Sequence, residues 1–193
     1  MSKKSRDTKI RIVKAAWDLF YKQGYDDTTV EEIVDESGTS KGSFYHYFES
    51  KDAILGSLAY LFDEKYEQLE KTLDFDAPVF DTLIFLNQEL FDMIDDKIDR
   101  DLLSKLYSTQ LVRRGERSLL DNDRFYYKLL RKLMTAGQDR GELTSDISVG
   151  DMVRLYAMCE RALICDWCLY NFNFSLKSYS KEMLPMMISG IKK

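Results

Sequence analysis

The stretch Thr29–Phe48, TVEEIVDESGTSKGSFYHYF, constrains this chain most, because two short helical patterns meet in it at a single glycine. Each pattern has its own start signal. The Thr29 hydroxyl can accept the backbone N–H of Glu31 or Glu32, and Glu32 stands at the third helical position, which makes a capping box. Val30, Ile33 and Val34 share one face of the helix that follows, while Glu31, Glu32, Asp35 and Glu36 turn to water. Gly38 ends that helix, because without a Cβ it enters the left-handed conformation that a sharp turn requires. Ser40 caps the second helix, in which Phe44 and Phe48 lie one turn apart and point to a core. Lys41, Ser43, Tyr45 and His46 remain on the outer side, all of them hydrogen-bond donors. Two short helices joined by a tight turn form a helix-turn-helix, and small residues at the front of the second helix let its backbone approach the DNA major groove. The N–H groups of its first turn can meet a phosphate.

The run TTVEEIVDESGTSKGSFYHYFESKDAIL resembles the DNA-binding segment of the TetR family of bacterial transcriptional regulators. The likeness rests on Thr29, Ile33, Gly38, Ser40, Gly42, Phe44, Tyr45, Tyr47, Phe48 and Lys51, in the family's spacing and without a gap, and it covers roughly Ser5 to Tyr66. Ser37 departs from the usual alanine, Val34 from a small residue and Thr39 from valine. The resemblance implies an all-α fold with an N-terminal three-helix DNA-binding domain in residues 1–50 and a larger helical ligand-binding and dimerisation domain in residues 51–193. It places Thr29, Thr39, Ser40, Lys41, Gly42, Ser43, Tyr45, His46, Tyr47 and Lys51 at the DNA. Ser43, Tyr45 and His46 are expected on or beside base edges, and Thr29, Lys41, Tyr47 and Lys51 on phosphates. Lys51 contacts the DNA backbone in the family. The resemblance also implies a homodimer through the last two helices, about residues 148–191, reading two half-sites about 34 Å apart. A small-molecule effector would release such a repressor from a palindromic operator. The competing class is an adaptor with a TetR-like fold that binds a protein or a metabolite and has given up operator recognition.

Charge bears on that choice. The 193 residues carry a net charge of −5, unexpected for a DNA-binding protein, so its distribution matters more than its sum. Met1 to Tyr25 holds seven basic residues (Lys3, Lys4, Arg6, Lys9, Arg11, Lys14, Lys22) and two acidic ones (Asp7, Asp18), a balance of +5. Asp26 to Glu36 then holds six acids and no base, which lends the adaptor some support. Phosphates respond to charges within about 8 Å at physiological salt, so a basic arm can bind DNA beside an acidic helix face. No apolar run is long enough to span a membrane, and MSKKSRD lacks the apolar core of a signal peptide, so a cytoplasmic location is expected.

Two prolines and nine glycines favour helix throughout. The first helix is capped by Asp7 or Thr8, carries Ile10, Val13, Ala16, Trp17 and Phe20 at helical spacing, and stops at Gly24. Trp17 and Phe20 are expected to pack under the two short helices. From Ser50 a single long helix is expected to continue towards Leu73 through Ile54, Leu55, Leu58, Leu61, Phe62 and Leu69. Asp74–Pro78 is the clearest break. Further helices are expected near Val79–Asp95, Arg100–Arg113, Asp121–Arg140, Ser148–Phe172 and Leu176–Ile191, punctuated by Gly115, Gly141 and Thr144–Ser148, with Pro185 kinking or splitting the last one.

In the larger domain, Tyr107, Phe125, Met134, Tyr156, Glu160 and Trp167 are the candidate ligand contacts. Glu160 falls on the Tyr156, Leu163, Trp167 stripe, where an unpaired carboxylate is costly. Either it pairs with Arg161 of a neighbouring chain or Arg154 across an interface, or it is a counter-charge in a ligand pocket. Cys159, Cys165 and Cys168 are too few for a closed tetrahedral metal site, and His46 is the only histidine, so no metal or cofactor is expected. With no glycine-rich phosphate loop and no Ser, His and acid set outside the helix-turn-helix, no enzyme is expected either.

Overall fold

The computed structural model describes residues 3–112 and 117–193, with residues 3–6 described by backbone alone. Arg113 and Gly115, expected at a helix end and a break, lie outside the described residues, as do the side chains of Lys3, Lys4 and Arg6. The described residues are helical apart from turns and one isolated antiparallel bridge between Leu143 and Lys192. The helices are α1 (Lys3–Gln23), α2 (Val30–Ser37), α3 (Lys41–Tyr47), α4 (Lys51–Leu55), α5 (Leu58–Glu70), α6 (Val79–Lys97), α7 (Arg100–Val112), α8 (Phe125–Asp139), α9 (Val149–Leu169) and α10 (Leu176–Met187). Short 3-10 turns at Ser118–Leu120 and Ser189–Ile191 complete them. They form two compact units, Met1–Ala59 with Asp99–Leu119, and Tyr60–Ile98 with Leu120–Lys193.

In the first unit α1, α2 and α3 pack on one another around Ile12, Ala16, Phe20, Ile33 and Phe44. The buried face of α1 is Ile12, Ala15, Ala16, Leu19 and Phe20, whereas Ile10, expected in the core, is 56% exposed. Two apolar stripes at helical spacing overlap in α1, and the buried one is rotated from the other by part of a turn. Trp17 is half-buried and stacks edge-on against Phe20. Its indole N–H donates to the Ser57 hydroxyl at 2.8 Å. The single helix expected from Ser50 to Leu73 is interrupted at Gly56–Ser57, giving α4 and α5. Gly56 is needed there for room, since a Cβ on it would lie 3.1 Å from the Ser118 hydroxyl oxygen and 3.2 Å from the Ala53 carbonyl oxygen. Apolar periodicity alone runs through such a break, because Ile54, Leu55 and Leu58 are buried on both sides of it.

The second unit buries Leu83, Leu86, Leu90, Phe91 and Ile94 of α6 against apolar residues of α8, α9 and α10. Full burial of one such side chain stabilises by about 1.5–3 kcal/mol. The expected helix Asp121–Arg140 begins instead at Phe125, because the Asp121 carboxylate accepts the Asp123 N–H at 2.9 Å and holds a turn. The expected Ser148–Phe172 helix ends at Leu169, where the chain turns through left-handed Asn171 and Phe172. Pro185 sits within the last turn of α10, which stops at Met187, and the rest of the expected span to Ile191 is a separate 3-10 turn.

Two carboxyl groups are sunk in this apolar core. Asp63 and Arg124 pair through two bonds, Arg124 Nη2 to Asp63 Oδ1 at 2.7 Å and Nε to Oδ2 at 3.1 Å, and Asp63 also accepts the Tyr126 N–H in the first turn of α8. Glu160 has no such cation. Its Oε1 accepts the Asn87 amide at 2.9 Å and lies 3.5 Å from the Tyr66 hydroxyl, while Oε2 accepts the Tyr126 hydroxyl at 2.6 Å. The expected arginine pairing is therefore replaced by neutral donors from α5, α6 and α8. Burial is the largest influence on the Glu160 carboxyl and pushes its pKa above the ordinary 4.5, against the lowering effect of those hydrogen bonds. The neighbouring Tyr156 hydroxyl donates to the Leu83 carbonyl at 2.7 Å.

The sign of the resulting pH dependence follows from the raised pKa. The unfolded chain gives up the Glu160 proton first, so the stabilisation is complete below pH 4.5 and is lost as pH rises through the folded-state value. Glu160→Gln mimics the neutral acid and should flatten the decline in melting temperature between acidic and neutral pH. Glu160→Ala should cost about 1–3 kcal/mol for each donor left unsatisfied, read by chemical denaturation.

Candidate nucleic-acid interface

The geometry of Thr29–Phe48 is that of a helix-turn-helix, and each local signal is present. The Thr29 hydroxyl accepts the Glu32 N–H at 3.2 Å, and the Glu32 carboxylate reaches back to the Thr29 N–H at 2.8 Å, closing the capping box. Gly38 takes φ +59. Ser40 accepts the Ser43 N–H at 3.1 Å and exchanges a hydroxyl bond with Ser43 at 2.9 Å. Phe44 is fully buried and Phe48 nearly so, which turns the opposite face of α3 outward. Two departures from the family pattern compensate one another, since the Ser37 and Thr39 hydroxyls lie 2.8 Å apart and Ser37 also donates to the Val34 carbonyl.

On the outer face Lys41, Gly42, Tyr45 and His46 are exposed, and Ser43 and Tyr47 are half-buried. Tyr45 is 51% exposed, and its ring is braced edge-on by Phe44. The His46 and Tyr47 rings meet edge-on with centroids 4.7 Å apart. Gly42 has a positional meaning that the interior does not supply. A Cβ there would meet nothing nearer than the Ser40 hydroxyl at 3.9 Å, so internal packing leaves room for a larger residue. A glycine inside a helix costs about 0.5–1 kcal/mol relative to alanine.

Three of the six acids in the run Asp26–Glu36 are occupied in folding. Glu32 closes the capping box and accepts the Gln23 amide, Glu31 pairs with Lys41, and Asp26 pairs with Lys105 at 2.7 Å. The Thr29 N–H, the Lys41 ammonium and the Lys105 ammonium hold the Glu32, Glu31 and Asp26 carboxyls respectively below their ordinary range. These acids offer a DNA phosphate less repulsion than their number suggests, because each faces a cation or donor of its own.

Lys51 is placed otherwise than the resemblance implies. Its ammonium donates to the carbonyls of Tyr25, Asp26 and Thr28 at 2.5, 3.3 and 2.7 Å and sits 4.2 Å from the centre of the Tyr25 ring. Desolvation in that position lowers its pKa. A lysine has three donors, and all three are spent on the turn between α1 and α2. The Tyr25 hydroxyl donates to Asp52 of the same short helix, and burial together with that bond raises its pKa.

Tyr107 belongs to α7 in the first unit, while Phe125, Met134, Tyr156, Glu160 and Trp167 belong to the second. Of these, Met134, Tyr156, Glu160 and Trp167 are buried and Phe125 is partly exposed. The Trp167 indole donates to the Phe174 carbonyl at 2.8 Å. Asn87, Tyr66 and Tyr126, the partners of Glu160, were not among the candidates. Among the described residues no group of three or more His, Cys, Asp or Glu is arranged to hold a metal ion. Burial is the leading influence on Cys159 and Cys165 and pushes both thiols up, away from the reactive thiolate.

Two substitutions separate reading from scaffolding in this head. Gly42→Ala should stabilise α3 by about 0.5–1 kcal/mol in thermal denaturation and weaken binding to a selected duplex by about 1–3 kcal/mol. Lys51→Ala should lower the melting temperature while leaving the salt dependence of DNA binding unchanged. A phosphate-contacting lysine would instead lower that slope by about one unit.

Residues 12–58 match the family model for bacterial regulatory proteins, tetR family. Over 193 aligned residues, covering 98% of each protein, the chain is 22% identical to the fatty acid metabolism regulator protein of Bacillus subtilis (strain 168). Among solved structures it is similar to FadR of Thermus thermophilus, a TetR-family transcriptional repressor in complex with lauroyl-CoA, with a TM-score of 0.76, 23% identity and 93% of each chain covered. It is also similar to FadR of Bacillus subtilis in complex with stearoyl-CoA, with a TM-score of 0.69, 21% identity, and 95% and 99% of the two chains covered. These likenesses extend the shared helical fold over nearly the whole chain, and the matched segment contains the entire helix-turn-helix. Residues 12–58 therefore carry the DNA-binding segment of the TetR family, within a helical fold shared over nearly the whole chain.

Proposed function

We propose that the chain is an effector-responsive transcriptional repressor that binds a palindromic operator as a homodimer and leaves it when a long-chain acyl thioester binds. The carrying observation is the outer face of α3, where Gly42 has no internal packing reason and Ser43, Tyr45 and His46 flank it on the same short helix. Residues 1–50 serve as the DNA-binding part and residues 51–193 as the part that binds effector and dimerises. Ser43, Tyr45 and His46 take base edges. Thr29, Thr39, Ser40, Lys41 and Tyr47 position the head on phosphates, with Lys51 acting behind them on the turn.

The effector class is supported by the two acyl-CoA complexes of similar fold, and the second unit offers the apolar interior that such a tail needs. Phe125, Met134, Tyr156, Glu160 and Trp167 are the proposed contacts, with Tyr66, Asn87 and Tyr126 added through Glu160. A second copy is supported by an unpartnered apolar stripe on α9 and α10. Met158 is 52% exposed, Leu169 81% and Met186 60%, with Ala162 and Cys165 on the α9 stripe between the first two. Closed two-fold symmetry would pair that stripe with itself. No helix among the described residues is long and apolar enough to cross a membrane.

Selection from a random duplex pool at physiological salt, with competitor DNA, should enrich a palindromic consensus. Adding lauroyl-CoA to the selected complex should then release the duplex. Enrichment without release would remove the acyl thioester and keep the repressor. No enrichment from a folded, dimeric protein would favour the adaptor.

A further inference from the structure

Helix α7 packs with the N-terminal residues, yet the chain reaches it from Tyr60–Ile98 and continues after it into Leu120–Lys193. Within the first unit it grips a functionally placed element. The Lys105 ammonium lies 2.7 and 2.8 Å from the two carboxylate oxygens of Asp26 and 5.8 Å from the centre of the Tyr25 ring. Asp26 belongs to the turn Tyr25–Thr28, whose carbonyls hold Lys51 from the other side, and Tyr25 is tied to Asp52. The next residue, Thr29, is the N-cap of α2, and Glu31 on α2 pairs with Lys41 at the start of α3. Contacts of defined geometry therefore run from α7 through the turn to the cap and on to the outer face of α3.

We propose that Lys105 is a positioning residue for DNA recognition, setting the placement of the Thr29 cap, and with it α2 and α3, through its two bonds to Asp26. This rests on the DNA-binding reading of α3. Both side chains are substantially exposed, and an exposed ion pair adds little to global stability. Its effect lies in orientation: one partner is fixed on α7, and the other sits in a turn whose carbonyls are already immobilised by Lys51. Because α7 is bounded on both sides in the chain by the second unit, a shift of α7 would be delivered first to this turn.

The test compares wild type with Lys105→Glu and with the charge-reversed double variant Asp26→Lys, Lys105→Glu, which restores the pair and the net charge. In the full chain without DNA, amide hydrogen exchange at Asp26–Val30 should quicken by about two- to five-fold in Lys105→Glu and return towards wild type in the double variant, with the melting temperature little changed. On a duplex selected by the wild type, the ratio of specific to non-specific affinity should fall in Lys105→Glu and recover in the double variant. Unchanged exchange in Lys105→Glu overturns the proposal, as does a loss of specificity that the reversed pair fails to restore. A wild-type chain that enriches no duplex overturns the DNA reading and the role in recognition with it, while the exchange result still shows whether Lys105 orders the turn.

Discussion

One ammonium group holds the DNA-binding head in register. Lys51 places its three donors on the carbonyls of Tyr25, Asp26 and Thr28, at a bend where the backbone leaves α1 and has not yet entered α2. Buried carbonyls without donors are costly, and no helix or sheet ladder is available to satisfy them there. The Tyr25 ring lies against the same ammonium, so the charge is shared between carbonyl dipoles and a π face as it loses water. The direction of α2 follows from this bend, and the Gly38 turn then fixes α3 relative to α2. Lys51, on the short helix after α3, thus ties the turn before α2 to the rest of the head.

The second unit has a different problem, a carboxyl group in an apolar interior. Asp63 solves it with a bidentate arginine. Glu160 solves it with an amide and tyrosine hydroxyls, whose bonds favour the carboxylate while burial, the larger influence, favours the neutral acid. A buried pair of opposite charges is a closed structural unit, whereas a carboxyl among neutral donors can exchange one donor for another. That asymmetry gives the core a pH dependence of known sign.

Much of the head is legible in the amino-acid order because its determinants are local. Thr29, Glu32, Gly38 and Ser40 act within four residues of themselves, and their spacing specifies both helices and the turn. The bend of Lys51 towards Tyr25 spans 26 residues, and Lys105 reaches Asp26 across 79, so neither follows from periodicity. Leu58 keeps the apolar rhythm of Leu55 across the break, so periodicity carries no sign that α4 stops at Leu55. Glu160 was recognisable as a polar residue on an apolar stripe. Asn87 carries the same signal between Leu83, Leu86, Leu90 and Phe91 on α6, but an amide stands out from an apolar stripe less than a charge does. Tyr66 and Tyr126 read as ordinary core aromatics until the fold brings their hydroxyls to one carboxyl.

The central claim is that α3 reads a major groove and that two copies do so together. Chemical footprinting of the purified protein on a duplex that it selects tests this directly. The account predicts protection of two major-groove faces on one side of the DNA, with centres about one helical turn, roughly 34 Å, or a multiple of it apart, and loss of both when Tyr45 and His46 are replaced by alanine. A single protected face, or protection that survives those replacements, would contradict it.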